Sequence, residues 1–370
     1  MNFRRSLGPA LALGLLIGVG MAITRSAREV RHVASRITVR VLTGPENQPF
    51  LTDPALAKIL DAQGVALTVE KADSGDLARR SDLKTFDAVF LAGEDAAAQI
   101  AQPAHTKPVF TSLYTPLAIA SWKSLIPVLD ASSLTSRLDG SCYTIDTEKL
   151  IGLMRKGTRW KDLPQNTAYP ASKSLLITSA DVRKSDSAAA YLALAAYAAN
   201  DDNVITRDPD ADKIADRLAD LFSKQGFQES NSAALFEDYT AMGIGKAPLA
   251  VIYEQQFLAY VLSHASSNPE HAGSNPEMVL LYPAPTILAK ETIVPLSPNG
   301  SRFARALAAN PQVDAIAGRY GFRTQDNTTL FASLAAKGVS IPHTIVDVID
   351  PPRYQILDRM VDRVEAQLNK

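Results

Sequence analysis

One cysteine in 370 residues leaves no internal disulfide and no multi-cysteine metal site. Cys142 sits in DGSCYTID, which reads as a loop, and no histidine lies near it in sequence to lower its pKa, so it reads as a half-buried thiol rather than a nucleophile. Histidine is scarce too, with five in all. His264 and His271 flank Glu270 in the polar stretch SHASSNPEHAGSNPE, which reads as a solvated loop rather than a metal site, while His32, His105 and His343 are scattered. There is no G-x-S-x-G elbow and no H-E-x-x-H, and MGIGKA at 242–247 lacks the earlier glycine and the final Ser/Thr of a phosphate loop. Asp181, Asp186, Glu94 and Glu254 remain formal acid–base candidates, but no nucleophile or cofactor lysine accompanies them. Charge of one sign is also missing: 38 basic against 39 acidic residues give a net −1, which offers no field for nucleic acid.

The composition, 46% hydrophobic and 21% charged, is that of a globular chain long enough for two cores. Its start carries an address. Arg4 and Arg5 precede the apolar run Pro9–Ile23, which has the length of a signal-peptide core and is short for a membrane span. Gly20 and Ala22 suit cleavage, whereas the basic flank Arg25, Arg28, Arg31 and Arg36 suits an uncleaved anchor, and the Arg4-Arg5 pair matches a twin-arginine signal only weakly. Either way, residues from about Ile37 onward are expected on the periplasmic or extracellular side of an inner membrane, released if the segment is cut and in membrane contact through the N-terminal segment, anchored by residues 9–23, if it is not.

Strand and helix patterns then alternate. ITVRVL (37–42), VALTVE (65–70) and FDAVFL (86–91) read as strands, with Asp53 and Pro54 opening the helix DPALAKILDAQ between the first two. Strands separated by helices predict an α/β layer with parallel pairing, whose ligands gather at strand carboxyl ends: Thr43-Gly44, Gly93-Glu94 and the Ser112–Thr115 turn with Tyr114. Asp210–Gln225 places Ile214, Leu218, Leu221 and Phe222 at helical spacing opposite a charged face. Between these, SLLITSADVRKSDSAAAYLALAAY (174–197) predicts a buried strand at Leu175–Ile177, a polar turn, and an alanine-rich helix from Ala188 to Ala199. Ser185 and Asp186 either cap that helix or, with Ser187, offer its free N–H groups to a ligand.

These segments together resemble the two-lobed type II class of bacterial extracellular solute-binding proteins. PVFTSLYTPLAIASWK (108–123) is similar to the exit from the first lobe, ADVRKSDSAAAYLALAAY (180–197) to the ligand-facing turn of the second, and KAPLAVIYEQQFL (246–258) to its later strand. MVLLYPAPTILAKETIVPLS (278–297) resembles the return strand, and RFARALAANPQVDAIAGRYGFRT (302–324) the closing helices. The resemblance implies two lobes, each a mostly parallel sheet flanked by helices, with a ligand cleft between them. It divides the chain into a leader or anchor with a basic flank at 1–36, a discontinuous first lobe at 37–118 and 285–370 with a C-terminal helical extension, and a second lobe at 119–284. Members fixed by a lipid-bearing cysteine have one just after the signal; here the sole cysteine is Cys142.

The implied role is capture of a small polar solute for an ABC-type uptake system, without enzymatic activity, cofactor or metal and with an inner-membrane permease as partner. Implied contacts are Thr43, Gly44, Gly93, Glu94, Ser112, Tyr114, Thr115, Ser185, Asp186, Ser187, Tyr253, Glu254 and Tyr282. The helix start with Arg183 and Lys184 would suit an anion and Glu254 a cation, so the ligand's charge stays open. Two other roles stand beside transport: a membrane-tethered sensor or adaptor, which the extra helix PPRYQILDRMVDRVEAQL at 351–368 would fit, and an enzyme on the same fold.

Overall fold

Alternating burial along Ile37–Thr43 makes a strand whose inner face, Val39 and Val41, is fully enclosed, and it sets the centre of the first of two layers. The computed structural model describes residues 36–138, 142–263, 277–308 and 310–368. In chain order the first layer contains β1 (Ile37–Thr43), α1 (Gln48–Leu51), α2 (Pro54–Asp61), β2 (Val65–Lys71), β3 (Ala88–Ala92) and α3 (Glu94–Ala101). The long strand β4 (Val109–Trp122) then leads into the second layer. That layer begins with α4 (Ile126–Ala131), β5 (Thr135–Arg137), β6 (Tyr143–Asp146) and α5 (Thr147–Arg155). It continues with α6 (Asp186–Ala199), α7 (Asp208–Ser223), α8 (Ser232–Met242), β7 (Ala250–Tyr253), α9 (Glu254–Ser263) and β8 (Met278–Ala284). β9 (Leu288–Pro295) returns to the first layer, followed by α10 (Pro298–Leu307), α11 (Pro311–Arg319), α12 (Thr328–Ala335) and α13 (Tyr354–Leu368). Asp53 starts α2 as its sequence predicts, its Oδ1 accepting from the N–H groups of Ala55 and Leu56 at 2.6 and 3.1 Å.

The strands run β2-β1-β3-β9-β4-β8-β6-β5, with β7 also on β4. β1 pairs in parallel with β2 and β3, as strands separated by helices should. β9 and β4 join antiparallel. β4 serves both layers: up to Pro116 it pairs with β9, and from Leu117 it pairs with β7 and β8. The crossings between lobes are therefore Pro116–Leu117 on one strand and the turn between β8 and β9 on another. A third is made by the bridge between Tyr114 and Arg323, whose N–H groups donate to each other's carbonyls at 2.9 and 3.0 Å.

The first lobe has a core on each face of its sheet, one around Phe50, Phe90 and Phe303 and one around Leu77, Phe86 and Val294. The second lobe has one large core. Leu330, Leu334, Ile341, Ile356, Met360, Val361 and Val364 belong to that second core, so the chain beyond about 325 does not extend the first lobe as the resemblance implied. The reason is apolar: one stripe of α13 lies along α7, which itself packs on α6 through Phe222 and Tyr191. Leu175–Ile177 is a buried, irregular segment rather than a strand, with single bridges at Ser174 and Thr178.

Within α6 the hydroxyl of Tyr191 is buried without a hydrogen-bond partner, beside a small apolar void also lined by Ile119, Ile145 and Val251. An orphaned buried hydroxyl carries its full desolvation cost. Tyr191→Phe is therefore expected to stabilise the protein by about 1 kcal/mol, read as a higher urea midpoint with an unchanged slope. A lower midpoint would mean that the hydroxyl has a partner in solution.

No helix among the described residues is long and apolar enough to cross a membrane. The Pro9–Ile23 run and the His264, Glu270, His271 loop lie outside the described residues.

Candidate functional site

The carboxyl end of β1 runs into Gly44-Pro45-Glu46-Asn47, and this turn folds a carboxylate back over the strand end. Glu46 lies so close over Gly44 that a Cβ there would come within 2.5 Å of its Oε1, so a side chain at 44 would push the carboxylate aside. Beside it the buried Asn47 donates from Nδ2 to Glu291 Oε2 at 2.9 Å. Glu291 comes from β9, paired opposite Ala92 at the end of β3, and is 2% exposed. A third carboxylate arrives from the other lobe. Asp186, the first residue of α6, presents its N–H to Ser74 Oγ at 3.1 Å, and Gly75 N–H donates to the Lys184 carbonyl at 2.9 Å. Ser74 and Gly75 belong to a short 3-10 turn, Ser74–Arg79, between β2 and β3. Gly75 has no room for a side chain: a Cβ would meet the Arg183 carbonyl at 2.8 Å. The two lobes thus touch backbone to backbone alongside Glu46, Asp186 and Glu291.

The three acids act on one another. Burial raises the pKa of Glu291, with Glu46 and Asp186 adding to it against the hydrogen bond from Asn47. Burial likewise raises Asp186, helped by Glu46 and opposed by Ser74, and burial raises Glu46. Tyr253, at the end of β7, is pushed up by burial and then by Asp186, Glu46 and Glu291, so its hydroxyl shares this space. Among the described residues, no lysine or arginine is among the groups acting on any of the three carboxylates. The nearby basic residues have other partners: Arg183 is bound to Asp181 and Glu365, and Lys290 to Glu94.

Of the thirteen contacts implied by sequence, Gly44, Asp186 and Tyr253 are placed at this cluster by the structure, with Ser185 and Ser187 next to it. Ser185 and Ser187 are both 1% exposed and share a hydrogen bond of 3.0 Å between their hydroxyls, and Ser185 makes no side-chain cap to α6. The simple capping reading therefore does not describe them. Thr43 spends its hydroxyl on the Phe90 carbonyl at 2.8 Å, and Thr115 accepts from Gln255 N–H at 3.0 Å, both inside the sheet. Tyr114 contributes its backbone to the Arg323 bridge. Gly93 begins α3, its N–H donating to the Lys290 carbonyl, and Glu94 is exposed in its pair with Lys290. Ser112 turns away to Asp314 at 2.5 Å.

Glu254 and Tyr282 lie beneath the crossing rather than at this cluster. Glu254 accepts from Arg323 Nε at 2.7 Å, from Arg323 Nη2 at 2.8 Å and from the Tyr282 hydroxyl at 2.6 Å, with Glu254 and Arg323 both 0% exposed. Burial opposes the charge on Arg323, and Glu254 outweighs it and keeps the guanidinium protonated. Cys142 is buried, its thiol against the Ser340 carbonyl.

Sequence reasoning missed Glu46, Asn47, Ser74 and Glu291. The available signal was the lone acid in the run LAKETIVPL, where Glu291 has buried neighbours at Thr292 and Ile293.

A raised carboxyl pKa reverses the usual acid-stability relation. Glu46, Asp186 and Glu291 hold protons in the native state that the unfolded chain has released, so their contribution is fully favourable below the ordinary carboxylate range and is lost as pH rises through the raised values. Glu291→Gln keeps an acceptor for Asn47 and removes a charge. It is expected to stabilise the ligand-free protein at pH 7–8 by on the order of 1 kcal/mol. The gain should shrink toward about pH 4, where wild-type Glu291 is already neutral. Paired calorimetric melts across pH check this, and a gain independent of pH would attribute it to packing instead.

No protein-family model matches the chain, and no curated protein matches it in sequence. Solved structures do share its fold. The periplasmic binding protein AfuA of Actinobacillus pleuropneumoniae, with exogenous fructose-6-phosphate bound, aligns over 89% of this chain and 98% of its own at a TM-score of 0.55 and 12% identity. An ABC transporter structure from Clostridium perfringens aligns over 90% of this chain and 100% of its own at 0.52 and 14%. The periplasmic binding protein P5PA aligns over 90% and 99% at 0.52 and 10%. The fold is thus the two-lobed α/β arrangement of type II periplasmic binding proteins.

Proposed function

We propose that this chain is a non-enzymatic solute-binding protein that closes its two lobes on a small polar solute on the outer side of an inner membrane. The observation that carries the reading is the polar cluster built jointly by both lobes, with Glu46, Asn47, Ser74 and Glu291 from the first and Asp186 and Tyr253 from the second. Polar groups buried without full pairing are costly in a structural core and are expected where a ligand completes them. The binding-protein neighbours agree with capture for an ABC-type permease. The apolar run at Pro9–Ile23 agrees with export, ending in either release or anchorage.

The test is a thermal-shift screen of the dialysed protein over amino acids, sugars, oxyanions, amines and metal ions, followed by small-angle scattering on any hit. A ligand that binds only the folded state raises the melting temperature, and hinge closure reduces the radius of gyration. A hit with no change in radius would favour the tethered sensor or adaptor, in which the lobes stay fixed. α13 favours that second reading, since it contacts both lobes: Arg79 of the first pairs with Asp358 and Asp362, and Arg183 of the second pairs with Glu365.

A further inference from the structure

We infer that the cleft takes a small organic cation, with a protonated nitrogen seated among Glu46, Asp186 and Glu291. The inference rests on the solute-binding reading above and fixes the ligand's charge class. Three separate elements bring these carboxylates together: Asn47, next to Glu46 in the turn after β1, bonds Glu291 of β9, and Ser74 bonds both Glu46 and the start of α6 at Asp186 across the lobe boundary. Without a ligand the raised pKa values keep these acids protonated; among the described residues no basic side chain acts on them, so a cationic ligand is what would take the place of those protons.

A second observation, independent of the acids' charge, points the same way. Asn47 is 1% exposed, its Nδ2 is spent on Glu291, and its Oδ1 has no donor. Because the two atoms belong to one amide, that orphaned oxygen lies next to Glu291. Glu46 Oε2 is likewise shielded and without a partner. Both atoms are acceptors, so a group that completes them must donate, and an ammonium or guanidinium supplies several N–H donors together with a positive charge.

The other ligand classes fit worse. An anion would meet Asp186 at the very start of α6, where the carboxylate cancels the positive end of the helix dipole, and Arg183 is already bound to Asp181. A neutral sugar brings no charge to take the place of the protons that these acids hold. No set of three His, Cys, Asp or Glu side chains among the described residues converges as metal ligands do.

The test is isothermal titration calorimetry on the full chain, freed of co-purified ligand by unfolding, dialysis and refolding. The probes are putrescine, spermidine, L-lysine, L-arginine and choline as cations, glucose and maltose as neutral solutes, sulfate and phosphate as anions, and Ca2+ as a bare ion. At least one organic cation should bind. Its affinity should fall at least tenfold in Glu291→Gln and in Asp186→Asn and rise with pH as the acids ionise. Glu291→Gln should meanwhile be the more stable ligand-free protein, so weaker binding cannot be put down to misfolding. A neutral, anionic or Ca2+ probe that binds while the organic cations do not would overturn the charge class and leave the solute-binding reading standing. An organic cation that binds equally well to both variants would overturn the seat among these acids. If no probe of any class binds the refolded wild type while its native melt is recovered, both readings fall together.

Discussion

Arg323→Ala is expected to cost about 3–5 kcal/mol, the range for breaking one side of a buried ion pair, and to lower the melting temperature by roughly 10 °C. The loss is large because of what remains. Glu254 would stay fully enclosed with only the Tyr282 hydroxyl at its Oε1, having lost both guanidinium donors. The damage would also spread to the crossing, since Arg323 bonds through its backbone to Tyr114 on β4 just before that strand passes between lobes. Differential scanning calorimetry of three variants separates the causes. Arg323→Ala and Glu254→Ala should each melt early, whereas the double change Glu254→Leu with Arg323→Met should recover most of the loss, because an apolar pair leaves no charge unsatisfied. A wild-type melt for Arg323→Ala would show that water reaches Glu254 and that the pair does not hold this crossing.

The same pair explains a limit of sequence reading. Tyr253 and Glu254 are adjacent, and as a strand-end aromatic and acid they read as one cleft feature. β7 ends at Tyr253 and α9 begins at Glu254, so the backbone turns between them: Tyr253 meets the cleft acids and Glu254 faces Arg323. The partner stands 69 positions along the chain, and no local pattern announces it. The Asp186 turn was legible, because a polar break ahead of an alanine-rich helix marks a helix start whatever the tertiary context. Glu291 was not. Its strand was legible only as a return strand, and it is the insertion of β9 between β3 and β4 that encloses the side chain. Strands, helices and the fold class were therefore readable, while the grouping of Glu46, Asp186 and Glu291 depended on which distant elements became neighbours.

Removal of residues 351–370 is expected to have an effect of comparable or greater size, in the tail of about 4–5 kcal/mol that marks loss of core packing. α13 and α7 are both amphipathic, and the cut would uncover the face of α7 that now lies under Ile356, Met360, Val361 and Val364. Charge adds to this. Asp208, Asp212 and Asp216 recur every four residues along α7, and Arg359 and Arg363 match them from α13. Arg359 is bidentate to Asp212 at 2.7 and 2.6 Å, and Arg363 is bidentate to Asp216 at 2.7 Å for each bond. Without the arginines the aspartates face one another at unfavourable i,i+4 spacing, a repulsion that salt screens. The truncated chain should therefore melt far below the full chain and regain part of the difference in 0.5–1 M salt, roughly the regime where the Debye length falls to a few ångströms. Should truncation merely prevent folding, the exchange Asp212→Arg with Arg359→Asp keeps the test open. Each single change should destabilise by placing like charges together, and the pair should recover wild-type stability. Recovery would establish the α7–α13 docking in solution, and additive losses would place α13 elsewhere.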